Sequence, residues 1–419
     1  MRLAEIFERV VGPEAPIRFR AYDGSVSGDP DSEVALVIRT PVALNYLVQA
    51  PGALGLTRAY VAGHIDVEGD MYTAMRRMSD VVLEDGNKPS ALELARIATS
   101  IGWVKFVNRV PPPPQEVRTS RLFGRGTRHS KGRDAEVIQH HYDVSNAFYE
   151  LVLGPSMTYT CAVFDSPEAS LESAQFRKHD LVARKLDLQP GMRLLDVGCG
   201  WGGMVMHAAR EYGVHGLGVT LSKEQADWAS ARIEEEGLSH LAQVRHMDYR
   251  DVPDGIYDRI SSIGLTEHIG KGNVPDYFAG LYTKLKPGGR LLNHCITRPR
   301  NDQPAMKPDG VINRYVFPDG ELEGPGELQT MMNDTGFEIR HQENLREHYA
   351  LTLRQWCANL DRNWETAVKE VGEGTARVWR LYMAGCILGF ERNVVQLHQI
   401  LGVKLAGTDA NMPLRPNFV

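Results

Sequence analysis

Leu194-Leu195-Asp196-Val197-Gly198-Cys199-Gly200-Trp201-Gly202-Gly203, residues 194–203, is the stretch on which the fold of this chain turns. An apolar run carrying one acid ends in four glycines, and a helical periodicity starts directly after them. A strand that passes into a helix through bare glycines brings backbone N–H groups close to a ligand. Glycine alone tolerates both the tight turn and the close approach. The spacing is G-x-G-x-G, which departs from the G-x-G-x-x-G of dinucleotide sites. An acid two residues ahead of the first glycine suits a ligand amino group better than a pyrophosphate. The stretch therefore reads as the S-adenosylmethionine loop of a methyltransferase. A glycine turn of purely structural use is the competing reading, and the surrounding residues decide between them.

Bulk properties narrow the classes. A chain of 419 residues has room for two domains, or for one large domain with an appendage. With 42% hydrophobic and 24% charged residues it is globular in composition rather than disordered. A net charge of −6 gives no global case for nucleic acid. Cys161, Cys199, Cys295, Cys357 and Cys386 are odd in number and scattered, the pattern of a reducing cytoplasm without a disulfide framework. None has metal-ligand spacing, so no metal is expected. Residues Met1 to Arg9 form an amphipathic helix pattern broken by charge and do not read as a signal peptide. The uncharged run Leu381–Phe390 is too short to span a bilayer. Any meeting with lipid is expected at the surface, peripheral and on the inner face of the cell membrane.

A proline block divides the chain. Residues 1–108 read as an accessory domain of short helices and strands, Val34–Arg39 among the latter. Residues 109–133 read as a linker, stiffened by Pro111 to Pro114. Arg118, Arg121, Arg125, Arg128, Lys131 and Arg133 make it basic. A solvated linker is the plain reading. Charge of one sign around Leu122-Phe123 also suits an anionic membrane surface, where each basic residue contributes about 1 kcal/mol. Residues 134–419 form the remaining domain.

From about residue 134 strands and helices alternate, the signal for a parallel α/β sheet. The expected strands are Arg193–Val197, Val214–Val219, Ala242–Met247, Ile256–Ile263, Arg290–Ile296 and Phe337–Gln342. The expected helices are Met204–Tyr212, a second from the N-cap Ser222 to about Glu236, and a third over Val274–Leu285 that ends at Pro287-Gly288-Gly289. Long helical stretches follow from Leu351 and from Thr375. The expected fold is a Rossmann-like α/β sheet with helices on both faces, plus a smaller mixed N-terminal domain. Ligands of such sheets sit over the carboxyl ends of the strands. Gly198, Thr220, Asp248, Glu267 and His294 all fall at or just past such ends.

Further segments, taken in order, carry a resemblance. They are His141-Tyr142-Asp143-Val144-Ser145-Asn146 with Phe148-Tyr149, Ser156-Met157-Thr158-Tyr159-Thr160-Cys161, the glycine loop, and Gly218 to Gln225. Then come Asp248-Tyr249-Arg250, Ser262-Ile263-Gly264 with Glu267-His268, His294-Cys295-Ile296 and His348-Tyr349. As an ordered set they resemble the cyclopropane fatty acid synthases and the related mycolic acid methyltransferases, over roughly residues 134–400. The N-terminal segment resembles the extra domain of the longer bacterial members. The resemblance implies S-adenosylmethionine as cofactor. Its ligands would be Tyr159 and Thr160, then Asp196, Gly198, Cys199, Gly200, Trp201 and Gly202 of the loop, then Thr220, Leu221, Ser222 and Gln225, and finally Asp248 with Tyr249. Many methyltransferases hold the ribose with an acid after the second strand; here, as in this family, that place is taken by Thr220. The resemblance also implies a bicarbonate ion held by Cys161, Glu267, His294, the backbone of Ile296, and Tyr349. The implied substrate is a cis-unsaturated acyl chain of a membrane phospholipid.

The chemistry explains such a site. An unactivated C=C is a weak nucleophile, so attack on a sulfonium methyl group rests on alignment and on excluding water, a proximity effect of up to about 7–11 kcal/mol. The resulting carbocation must then lose a proton, and a side-chain base beside it could itself be alkylated. Thr266 stands where the family usually has a large apolar residue and puts a hydroxyl near the site. It bears on whether the product is a ring or an exocyclic methylene, the latter being the substrate of a separate reductase in related actinobacterial lipids. Both products stay open, as does a homodimer. Taken singly, Cys161 reads as a small buried hydrophobe, His294 as a core histidine, Glu267 as a helix cap and Tyr349 as a helix anchor. Two rival functions remain: an O- or N-methyltransferase of a small molecule, and a non-catalytic lipid-binding module.

Overall fold

The computed structural model describes residues 2–84, 109–117, 145–303, 310–317 and 320–418. Arg118, Arg121, Arg125, Arg128, Lys131 and Arg133 lie outside the described residues, as do His141 to Val144. The chain falls into two compact units. The first comprises Met1–Thr119, Asp309–Val316 and Trp364–Leu388; the second comprises Ser120–Pro308, Phe317–Asn363 and Gly389–Val419.

In the first unit four short strands pair in the order β2-β1-β3-β4, with only β1 and β3 parallel. They are β1 (Arg18–Ala21), β2 (Val26–Gly28), β3 (Ala35–Ile38) and β4 (Ile65–Glu68). The helix Leu3–Val11 buries Leu3, Phe7 and Val11, a spacing of four that makes one apolar stripe. Phe7 stacks on Phe19 of β1 with ring centroids 4.3 Å apart. Buried Glu116, just past the proline block, accepts two bonds of 2.6 Å from Arg58, one of 2.8 Å from Arg314 and one of 3.1 Å from Tyr315. One fully bonded carboxylate thereby ties the segments 109–117 and 310–316 into this unit.

The second unit carries a seven-stranded sheet flanked by helices, in the order β10-β11-β9-β8-β5-β6-β7. Its strands are β5 (Arg193–Val197), β6 (His215–Thr220), β7 (Ala242–His246), β8 (Tyr257–Ile263), β9 (Leu285–Thr297), β10 (Glu338–Asn344) and β11 (Gln396–Val403). The five strands β5 to β9 are parallel neighbours, whereas β11 runs antiparallel to both β9 and β10. The parallel sheet expected from the alternation is therefore a mixed one. β11 is a strand that this alternation does not announce; seven of its eight residues are buried between β9 and β10.

Two boundaries also differ. The helix Val274–Lys284 is followed at once by β9, and Pro287-Gly288-Gly289 lies inside that strand. There the Lys404 backbone pairs with Gly288 and Gly289 at 2.7 and 2.9 Å, which keeps the segment in the sheet despite its proline. The helix read from Leu351 begins at Arg346, because the Asn344 side chain accepts the Arg346 N–H at 3.0 Å and opens the helix early.

β5 is buried from Leu194 to Val197, as a central parallel strand requires. Ser145, Ser170 and Ser222 cap the helices Asn146–Leu153, Leu171–Leu186 and Lys223–Glu235, each hydroxyl accepting an N–H three residues on at 3.2 Å. From β5 the chain winds outward to β6 and β7, then returns to the other side of β5 as β8 and β9. The carboxyl ends of β5 and β8 flank the switch point, the place where sheets of this kind bind ligands. Among the described residues no helix is long and apolar enough to cross a membrane.

Candidate active site

Gly198 (φ +70), Gly200 (φ +53) and Gly202 (φ +79) take the left-handed backbone that costs other residues strain. The N–H groups of Gly198 and Cys199 both donate to Val219 O, at 2.9 and 3.0 Å, and lash the turn to β6. A methyl group added at Gly200 would meet no protein atom within 4 Å, so the tip of the loop faces open space. That space is a cleft of two adjoining hollows that share Gly198, Gly200, Gln225 and Gly264. Thr220, Leu221 and Tyr249 line one hollow; Tyr159, Thr160, Asp196, Cys199 and Trp201 line the other. Gly202 packs behind the loop against Val244 and Ala229.

The polar groups around this cleft hold one another in place. Thr220 Oγ1 donates to Gln225 Oε1 at 2.8 Å and accepts the Ser222 N–H at 3.2 Å. Ser222 and Asp248 stand behind the lining. The first caps its helix, and the second accepts three bonds of 2.6–2.9 Å from Arg250. Asp196, buried at the end of β5, accepts from Ser261 Oγ at 2.6 Å, and burial pushes its carboxyl up to about 6.

Sequence reasoning missed one wall of the cleft, the helix Leu171–Leu186. Its Lys178 is 1% exposed, donates to Thr160 Oγ1 at 3.1 Å and lies 2.9 Å from His179 Nε2. Burial pulls its ammonium down to about 7, opposed chiefly by the negative charge of Asp196. Gln175 donates to the carbonyls of Thr158 and Thr160 at 3.3 and 2.9 Å. A signal was present: Gln175, Lys178 and Val182 share the buried stripe of the helix, where polar residues need partners.

The second predicted group lies beyond the cleft lining. Glu267 Oε1 accepts the Ile296 N–H at 2.7 Å, so these two are joined directly. Glu267 Oε2 is buried without a hydrogen-bond partner, and burial pushes the carboxyl up to about 7 although the Ile296 N–H offsets part of the effect. His294 is 1% exposed. Its Nδ1 lies 3.2 Å from Gln399 Nε2, while its Nε2 is buried and unpartnered. Burial, with Lys178 and Lys185 nearby, holds this imidazole well below its usual range and so neutral. The fully buried Cys161 thiol is raised by desolvation, which rules it out as a thiolate nucleophile. Its Sγ lies 3.7 Å from Leu345 O, at the start of the helix Arg346–Arg362 whose first turn bears Tyr349. Thr266, expected to offer a hydroxyl to the site, instead donates it to Asn293 Oδ1 at 2.7 Å in the core.

Aromatic rings connect the two groups. Successive centroid distances are 4.8 Å for Trp201–Tyr149, 5.9 Å for Tyr149–Tyr159, 5.3 Å for Tyr159–Trp356, 6.1 Å for Trp356–Tyr349 and 4.5 Å for Tyr349–Phe390. The row of rings starts on the glycine loop and ends beside Tyr349. Left-handed glycines open on a cleft with a buried acid at its base fit S-adenosylmethionine. Two orphaned buried polar atoms, on Glu267 and His294, fit a small polar ion.

Residues 129–400 match the family described as mycolic acid cyclopropane synthetase. The chain is 53% identical to a probable fatty acid methyltransferase of Mycobacterium tuberculosis, across 99% of this chain and 98% of that protein. It is 36% identical to the cyclopropane-fatty-acyl-phospholipid synthase of Escherichia coli, across 65% of this chain and 69% of the other. A solved structure of the mycolic acid cyclopropane synthase CmaA1, complexed with SAH and CTAB, superposes with a TM-score of 0.60 at 32% identity, covering 64% of this chain and 98% of that one. The cleft at the β5–β8 switch point and these matches lead to one conclusion: the chain belongs to the mycolic acid cyclopropane synthetase family and has its S-adenosylmethionine-dependent methyltransferase fold.

Proposed function

We propose that this protein transfers a methyl group from S-adenosylmethionine to the cis double bond of an unsaturated acyl chain in a membrane phospholipid. Loss of one proton then leaves a cyclopropane ring or a methylene branch. The observation that carries this reading is the pairing of the aromatic row from Trp201 to Phe390 with the orphaned polar atoms of Glu267 and His294. When bound, S-adenosylmethionine supplies an electrophilic methyl group and bicarbonate supplies a small, replaceable proton acceptor.

The chain's own residues do the rest. Gly198 and Gly200 admit the cofactor to backbone distance, Gly202 lets the turn close against Val244 and Ala229 behind them, and Asp196 faces the cofactor's amino end. Tyr159, which lines the cleft and is backed by buried Trp356, presents a ring to the acyl chain that excludes water and favours a cation by about 0.5–2 kcal/mol. Glu267, with its carboxyl near 7, keeps a proton on Oε2 below that pH and there meets an anion as a donor rather than a rival charge. His294 is neutral and cannot repel a cation. The reading includes a peripheral position on the inner membrane face, motivated by the basic stretch Arg118 to Arg133.

The test is transfer from methyl-labelled S-adenosylmethionine to vesicles of phosphatidylglycerol. Label is expected in the acyl chains of monounsaturated vesicles only, lost in carbon-dioxide-free buffer and restored by added bicarbonate. Label in a head group or a small amine would overturn the acyl reading. A full rate without bicarbonate would overturn that part alone.

A further inference from the structure

One row of side chains crosses three neighbouring strands at a common register. His294 of β9 lies opposite Gln399 of β11, and Gln399 lies opposite Glu343 of β10. Directly opposed residues of antiparallel strands point to the same face. Over that face comes Lys185, from the helix Leu171–Leu186, with no exposed surface of its own. Its ammonium bonds the half-buried carboxylate of Glu343 and donates to Gln399 Oε1 at 2.7 Å. The other end of the same amide, Gln399 Nε2, lies 3.2 Å from His294 Nδ1. Gln399 is itself fully buried.

An ammonium group only donates, so the end of the Gln399 amide that faces Lys185 must be its oxygen. The amide nitrogen is thereby turned to His294, and an amide nitrogen also only donates. Nδ1 must then be the accepting, unprotonated nitrogen, and a neutral imidazole carries its single proton on Nε2. Nε2 is the orphaned atom described above.

We infer that Lys185 and Gln399 are positioning residues that set the tautomer of His294, so that it meets the reaction site as an Nε2–H donor and not as a base. Glu343 anchors the far end of the chain at the protein surface. This rests on the proposed function only for the meaning of the donor, which would hold the oxygen of a small anion. A base at this position would be open to alkylation; a donor is not. Neither Lys185 nor Gln399 touches the reacting atoms. The buried lysine, which is costly to desolvate, thus has a use that packing alone would not give it.

The direct test is nitrogen NMR of full-length protein labelled with 15N-histidine, His294 being assigned by its loss in His294→Asn. The expected spectrum shows the Nε2–H tautomer in the wild type. Gln399→Glu keeps size and the Lys185 contact but replaces the donor by an acceptor, so His294 should switch to Nδ1–H or to the doubly protonated ring. With it, kcat should fall at least about 30-fold and the apparent bicarbonate requirement rise, while KM for S-adenosylmethionine stays within about twofold. Lys185→Met should give the same direction with a mixed tautomer signal. An Nδ1–H wild type, or a Gln399→Glu variant with unchanged tautomer and rate, would overturn the inference. An Nε2–H wild type whose turnover ignores bicarbonate would leave the relay standing and sink the proposed anion instead. If Gln399→Glu fails to fold, the wild-type tautomer still decides.

Discussion

Glu267 is the residue whose environment most constrains the chemistry. One carboxylate oxygen is fixed by the Ile296 N–H, and the other is buried without a hydrogen-bond partner. A buried polar atom of this kind suits a bound oxygen, and its raised affinity for a proton makes it a donor to one. Glu267→Leu keeps much of the volume but removes both the acceptor for the Ile296 N–H and the donor at Oε2. Turnover is expected to fall about 100-fold or more at saturating bicarbonate, in the range of lost proton-handling groups, with S-adenosylhomocysteine affinity unchanged by calorimetry. A normal rate would remove Glu267 from the site. Wild-type turnover should also decline as pH rises through about 7, where Glu267 loses its proton; in a pH–rate profile this limb should be missing from Glu267→Gln, whose amide donates at every pH.

At the scale of elements, the glycine loop separates folding from binding. Gly200 takes φ +53 but has no protein neighbour where a Cβ would go. Gly200→Ala therefore costs folding only the left-handed strain of about 1–2 kcal/mol, a shift of a few degrees in melting temperature. The added methyl group should weaken S-adenosylhomocysteine by more than tenfold, about 1.4 kcal/mol; unchanged affinity would mean that the loop does not touch the cofactor. The run from Arg193 to Lys284 was readable in the sequence because its main strands and helices are specified locally, by a buried β-strand run, a serine cap or a glycine stop, whereas the start of β9 is set by distant Lys404. What was not readable was set by distant partners. β11 is a strand because β9 and β10 lie on either side of it, Lys178 belongs to the cleft because its helix packs over β8 and β9, and Thr266 turns inward because Asn293 offers an acceptor. The ordered motifs named Glu267 and the Ile296 backbone as two separate holders of an ion, not that the Ile296 N–H is taken by Glu267, and nothing near Gln399 in sequence connects it with His294.

At the scale of the whole molecule, the site is held in place against its own electrostatics. Glu267 is raised from 4.5 to about 7 and Asp196 from 3.8 to about 6, so the folded state holds these protons more tightly than the unfolded one. The stability this contributes is complete below about pH 4 and is lost as pH rises through about 7. Lys178 acts in the other direction. Lowered from 10.5 to about 7, it contributes stability that is complete above its unfolded value and is lost as pH falls towards 7. Thermal melts should therefore show Glu267→Gln gaining on the wild type between about pH 5 and pH 7.5, by on the order of 3 kcal/mol for a shift of this size. Parallel curves for the two proteins would contradict the burial of that charge.

The measurement that tests the central claim most directly is mass spectrometry of lipids from cells expressing the protein and fed methyl-labelled methionine. Monounsaturated phospholipid chains should gain one CH2 carrying the label, in the wild type and not in Glu267→Leu, and chain fragmentation should place it at the former double bond. Unmodified acyl chains, or label confined to head groups or small molecules, would contradict it.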